Sequence, residues 1–80
     1  MAPDTEGLVR YLVTSLVDDS DSVTVTVSET DESITFEIAV NPDDIGKVIG
    51  RQGRIIKAIR TLARAAGTTG DKQVEVEVAG

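Results

Sequence analysis

Four residues, Gly50-Arg51-Gln52-Gly53, join two short apolar-periodic segments, and cations flank the joint on both sides. The run from Ile45 to Arg60 reads I-G-K-V-I-G-R-Q-G-R-I-I-K-A-I-R. A helix that stops at one glycine and restarts at another leaves a sharp backbone turn. The first N–H groups of the second helix then lack partners inside the helix. Neither glycine carries a Cβ, so another molecule can come close to the backbone. Free N–H groups and the positive end of a helix dipole favour an anion such as a phosphate. Arg51 and Arg54 add full charges at the same place. These residue types at this spacing suit a clamp on a nucleic-acid backbone.

Other chemistries fit less well. Gly46-Lys47 is followed by Val48, so the phosphate-binding G-x-x-x-x-G-K-[ST] of nucleotide hydrolases is absent, as is the dinucleotide G-x-G-x-x-G. With no histidine and no cysteine, no nucleophile–base pair is assembled and the commonest zinc ligands are missing. Catalysis, a metal and a cofactor are therefore not expected. Asp18-Asp19-Ser20-Asp21-Ser22 has alternating carboxylates but lacks the glycine and terminal glutamate of a calcium loop, and reads as a solvated turn. Asp43 and Asp44 are adjacent, yet no nucleophile stands near them. Capping a helix is the better reading.

The formal net charge of −6 argues against a polyanionic partner until its distribution is considered. Between Gly46 and Gly70 lie six cations (Lys47, Arg51, Arg54, Lys57, Arg60, Arg64) and no acid. The other segments hold all fourteen acids against Arg10 and Lys72. Such a split attracts a polyanion to one face and repels it elsewhere. A solvated basic helix face gives the same pattern, so the glycine loop decides between them. Eighty residues make one small domain, burying about 60–65% of the surface that the unfolded chain exposes. No charged-then-apolar leader and no run of 18 apolar residues occurs, which predicts a soluble, cytoplasmic chain with no membrane span.

The elements that must position the loop follow from periodicity. Residues 4–17 read as a helix, with Leu8, Leu12 and Leu16 on one stripe, Val9 and Val13 widening it, and Pro3 with Asp4 or Thr5 at its start. Val23, Val25 and Val27, then Ile34, Phe36, Ile38 and Val40, alternate with polar or small residues as half-buried strands do. Ser28 to Ser33 should form the turn of an antiparallel hairpin. Asn41-Pro42-Asp43-Asp44 is a helix start, with Asn41 as N-cap and Pro42 at the first helical position. This helix runs through Ile45, Val48 and Ile49 to Gly50. The next spans roughly 53–66, with Ile55, Ile59, Leu62 and Ala66 within about 60° on a core side and Arg54, Lys57, Arg60 and Arg64 on another. Gly67 can end it, 68–71 are loop, and Lys72 to Val78 is a third alternating strand. The order α-β-β-α-α-β, with a crossover long enough to be parallel and right-handed, predicts an α+β domain. Its three-stranded mixed sheet is covered on one face by three helices.

N-P-D-D-I-G-K followed by V-I-G-R-Q-G-R-I-I-K-A-I-R resembles the core of a KH domain with its G-x-x-G loop. The element order resembles the type II variant over essentially the whole chain. The core would span 34–78, preceded by a helix and strand at 4–28, in a single domain of residues 1–80. At this length the chain is most similar to the bacterial KhpA-type single-KH proteins. The resemblance implies a groove for about four nucleotides of single-stranded RNA or DNA. In it Gly50 and Gly53 admit the backbone and Arg51 and Gln52 meet phosphates. Lys47, Arg54 and Lys57 extend the charge. Ile45, Ile49 and the strand around Ile38 and Val40 wall the bases. It also implies an RNA chaperone or post-transcriptional regulator, acting in cell elongation or envelope homeostasis. Such a protein would be paired with itself or with a KhpB/Jag-type RNA-binding protein. The alternative is a protein-interaction module that dimerises through the same loop and groove, RNA being contacted mainly by a partner. The only aromatics, Tyr11 and Phe36, read as core or partner contacts rather than base platforms.

Overall fold

The computed structural model describes residues 5–66 and 72–79. The expectations for Pro3 and Asp4, for Gly67 and for the loop at 68–71 lie outside them. Helix α1 (Thr5–Leu16) leads into the hairpin of β1 (Thr24–Glu29) and β2 (Ser33–Ala39). Helices α2 (Ile45–Ile49) and α3 (Arg54–Ala66) follow, and β3 (Gln73–Val78) closes the chain. This is the expected α-β-β-α-α-β order. The sheet order is β1-β2-β3, antiparallel between the first two and parallel between the last two.

The hairpin turn is tighter than the sequence suggests. Strand β1 continues through Glu29, and only residues 30–32 connect it to β2. Thr30 N–H donates to the Ser33 carbonyl at 2.8 Å, while the Thr30 hydroxyl accepts from the N–H groups of Glu32 and Ser33. A hydroxyl that captures backbone donors in this way replaces the missing ladder bonds. An ion pair between Glu29 and Lys72 ties the end of β1 to the start of the β3 segment.

Helices and sheet share one core: Val9, Val13, Ile38, Val48, Ala63 and Val76 are essentially solvent-free, with Val23, Val25, Phe36, Ile59 and Val74 around them. Two helical faces differ from expectation. On α1 the buried centre is Val9 and Val13, while Leu8, Leu12 and Leu16 are half-buried. The five residues span a stripe of about 140° on the wheel, and the sheet meets its valine shoulder rather than its leucine one. On α3 the centre is Ile59 and Ala63, and Leu62 is 48% exposed. Leu62 falls about 60° from Ile59 and about 100° from Ala63, on the flank that neither the sheet nor α1 covers. Val27 is also exposed, because β1 is an edge strand and the helices stop short of it.

The opposite face of the sheet carries Thr24, Thr26, Ser28, Glu37, Gln73 and Glu77, all exposed. Glu37 and Glu77 thus lie across the sheet from the helices. No helix among the described residues is long and apolar enough to cross a membrane.

Candidate nucleic-acid interface

Asn41 starts the segment that leads to the loop. Its Oδ1 accepts the Asp43 N–H at 3.0 Å, and Pro42 opens a short 3-10 turn (Pro42–Asp44), as the sequence predicts. Helix α2 then runs for five residues, with Val48 in the core. The N–H of Gly50 closes onto the Gly46 carbonyl at 2.9 Å, and the chain turns sharply. Gly50 sits at φ 77°, ψ 173°, a region open essentially to glycine alone. Gln52 and Gly53 also have positive φ, at 59° and 71°. Three of the four loop residues thus leave helical conformation, and the two helices are not continuous.

The loop is not a bare helix start, however. Arg51–Gly53 form one 3-10 turn, in which Gly53 N–H donates to Gly50 O at 3.2 Å and Arg54 N–H to Arg51 O. Two of the amides expected to be free are therefore engaged. The N–H groups of Arg51 and Gln52 have no hydrogen-bond partner among the described residues, and both side chains are exposed. Those are the amides an anion can reach. Arg54 Nη2 donates to Gln52 Oε1 at 3.2 Å, which fixes the Gln52 side chain beside the guanidinium and leaves its NH2 group as a donor.

The cations of the basic block separate into three groups. Arg51, Arg54 and Lys57 are exposed around the loop and form no ion pair within the described residues. Arg60 and Arg64 turn to the outer edge of β3, where Arg64 Nε donates to Val74 O at 3.2 Å and Arg60 Nη2 to Val76 O at 3.5 Å. Arg60 is half-buried, and its Nε is buried without a partner. The three arginines and one lysine of α3 therefore do not act as a single basic face. The reason is geometric: the positions of Arg60 and Arg64 bring their guanidinium groups over the carbonyls that edge strand β3 leaves unpaired.

Lys47 forms the third group. Its ammonium pairs with Asp18 and with Asp44, the latter at 3.3 Å. Asp44 is only 3% exposed and also accepts the Asp19 N–H at 3.1 Å. That backbone bond, with the help of Lys47, holds the Asp44 carboxyl below its ordinary value of 3.8. The Asp18 carboxylate, then Asp44, pushes the Lys47 ammonium above its ordinary 10.5. Asp19 in turn accepts from the Ser22 hydroxyl at 2.6 Å and from Asn41 Nδ2 at 3.1 Å, which lowers its own pKa. The 18–22 segment is thus no free solvated turn, since it bolts the end of α1 to the start of α2. Sequence reasoning missed this role for Asp18, Asp19 and Asp44. The i, i+3 spacing of Asp44 and Lys47 was the one signal that could have found part of it.

Ile45 and Ile49, on α2, are half-buried. Ile38 cannot join them, because it is fully buried beneath the helices, and Val40 packs against the core. Alternation in β2 sends Ile38 inward with Phe36, and the apolar wall is built by α2 alone. Phe36 is likewise core, whereas Tyr11 is 68% exposed on α1.

This geometry has close counterparts. The model of the KH domain shared by KhpA and KhpB matches residues 6–78. The RNA-binding protein KhpA of Listeria monocytogenes is 47% identical over 73 residues, covering 91% of this chain and 96% of its own. The Bacillus subtilis and Clostridium perfringens proteins of the same name are 47% and 49% identical over 73 and 71 residues. All are named for RNA binding rather than for a reaction. Among solved structures, Aquifex aeolicus Era bound to GDP and aluminium fluoride superposes with a TM-score of 0.65 at 22% identity. That match covers 94% of this chain and 30% of Era, and shows the fold.

Proposed function

The chain belongs to the KhpA/KhpB KH-domain family, and from that premise we propose that it binds single-stranded RNA, holding the sugar-phosphate backbone at the Gly50–Gly53 turn. The observation that carries this is the turn itself: on two exposed residues, Arg51 and Gln52, the backbone amides have no partner among the described residues, and Arg51, Arg54 and Lys57 stand near them with no ion pair there. Gly50 and Gly53 let the strand approach, Arg51 and Gln52 meet phosphate oxygens, and Arg54 and Lys57 extend the contact along α3. Ile49 faces the bases, and Lys47 borders the site at the end of α2. Single-stranded DNA fits the same contacts. The chain requires no cofactor for this, and its role would be that of a cytoplasmic RNA chaperone or post-transcriptional regulator.

Fluorescence anisotropy with a labelled single-stranded RNA across a salt series tests the reading. Three unpaired cations predict a slope of log K against log salt of about −2, at about 0.7 per phosphate contact on a single strand. Arg51→Asp with Gln52→Asp should abolish binding while the fold survives, since both side chains are exposed. Unchanged affinity in that double variant would sink the reading.

Protein partners are part of the proposal. Tyr11 and Leu62 are large apolar side chains left exposed on α1 and α3. Leu62 lies nine residues beyond Gly53, about 13 Å along the helix. A second copy, or a KhpB/Jag-type protein, could therefore seat on the helices and leave the loop open to RNA. In the competing reading the loop itself is the dimer contact. The Arg51, Gln52 double variant separates the two, because only the loop-dimer reading has it lose self-association.

A further inference from the structure

Lys47 differs from every other cation near the loop in having two carboxylate partners, and those partners are unlike each other. Asp44 is fixed: its side chain is 4% exposed, it lies three residues before Lys47, and the Asp19 amide holds its second oxygen. Asp18 is loosely held, because its side chain is 85% exposed and it stands on the turn after α1, 29 residues from Lys47 in the chain. An ammonium has three donors and meets an anion from any side, so Lys47 can keep Asp44 while exchanging its other partner. The Lys47 side chain is 44% exposed, so solvent and an incoming anion reach it. It also lies three residues, about 4.5 Å along α2, before Gly50, where the turn that carries the proposed clamp begins.

We propose that Lys47 is a further phosphate position of this site and that Asp18 occupies it in the free protein, so that a nucleic-acid phosphate must displace the Asp18 carboxylate to bind there. This rests on the RNA-binding reading above. The contact acts as an internal competitor. It lowers affinity for any polyanion and lowers it least for a strand whose other phosphates are already held at Arg51 and Gln52. Asp44 remains in place through the exchange and keeps the ammonium from swinging out to solvent.

The test compares single-stranded RNA binding, by anisotropy across a salt series, for the wild type, Asp18→Asn, Asp21→Asn, Lys47→Gln and the Asp18→Asn, Lys47→Gln double variant. Asp18→Asn should tighten binding about two- to five-fold, the range an exposed ion pair spans, and steepen the salt slope by up to about 0.7. Asp21 carries the same charge on the same exposed turn, so Asp21→Asn measures the effect of net charge alone. The gain from Asp18→Asn should exceed the gain from Asp21→Asn and should vanish when residue 47 is glutamine. Equal gains for the two asparagine variants, or a gain that persists without the ammonium, would overturn this inference while leaving RNA binding standing. A wild-type chain that binds no RNA at all would take both readings down together.

Discussion

Replacing Gly50 with alanine is the sharpest perturbation of the turn, and its cost can be worked from the backbone. At φ 77°, ψ 173° a residue with a Cβ is strained by about 1–3 kcal/mol. The added Cβ would also lie 2.5 Å from Ile55 Cγ1, 2.8 Å from its Cβ and 2.9 Å from its Cδ1. The Ile55 Cβ cannot rotate away, so the helix start must shift, which adds about 1–3 kcal/mol as overpacking does. Gly53 has positive φ too, at 71°, but its added Cβ would meet only Ile56 Cγ2 at 3.9 Å. Gly53→Ala therefore carries the left-handed penalty of about 1–2 kcal/mol, partly offset by the stiffer unfolded chain. The two variants should differ by about 3 kcal/mol, or more than about 12 °C in Tm for a domain of this size. Urea unfolding followed by circular dichroism, with a common m-value, measures the gap. Ile55→Ala removes two of the three close atoms, so Gly50→Ala should cost less in that background than in the wild type. Equal midpoints for the two glycine variants, or full additivity of Gly50→Ala with Ile55→Ala, would refute the packing argument.

Two further outcomes follow from the core and from the acids behind the loop. Ala63→Leu should destabilise the domain by about 1–3 kcal/mol because Ala63 is fully buried, whereas Leu62→Ala should change monomer stability by under about 1 kcal/mol; thermal melts at low concentration that rank the pair the other way would refute the assigned helix face. The carboxyls of Asp44 and Asp19 are depressed below 3.8 in the folded chain, so the stability they contribute is complete above that value and is lost as pH falls through their folded values. Asp44→Asn should therefore be less stable than the wild type at neutral pH and lose less on acidification below about pH 4, as read from urea midpoints across a pH series; parallel acid limbs would show that Asp44 is not the group responsible.

Much of this fold was legible because its signals are local. Valines alternating with threonines made β1, Asn41-Pro42 started the turn into α2, and two glycines three apart broke the helix between Ile49 and Arg54. Each depends on a few consecutive residues and survives tertiary packing. What could not be read depends on residues distant in sequence. Asp18 reaches Lys47 across 29 positions, and Arg64 reaches Val74 across ten. The helical wheel gave the apolar side of α3 but not its centre, because the direction from which β3 and α1 approach selects Ala63 over Leu62. Burial of Asp44 was hidden for a related reason. Its capping chemistry fully accounts for an acid at a helix start, so nothing local asks for a second role.

On the proposed reading, the same long-range contacts explain how an acidic chain would hold a polyanion without being a general nucleic-acid binder. Six cations in one block suggest a broad basic stripe, but the fold sends two of them to the β3 edge and pairs a third with acids. Three remain, at the turn where the Arg51 and Gln52 amides have no partner among the described residues. Glu37 and Glu77 meanwhile sit on the far face of the sheet, so a strand that leaves the loop in that direction is repelled. Position is therefore selected by charge and by the turn together. Base identity is not, because no aromatic side chain stands beside the loop: Phe36 is buried in the core and Tyr11 sits on α1. Without an aromatic platform, the proposed reading leaves base preference to how each base fits against Ile45 and Ile49 and stacks on the Arg51 or Arg54 guanidinium. A contact of that kind distinguishes size and hydration more than hydrogen-bonding pattern, so discrimination among bases should be shallow even where the backbone is held firmly.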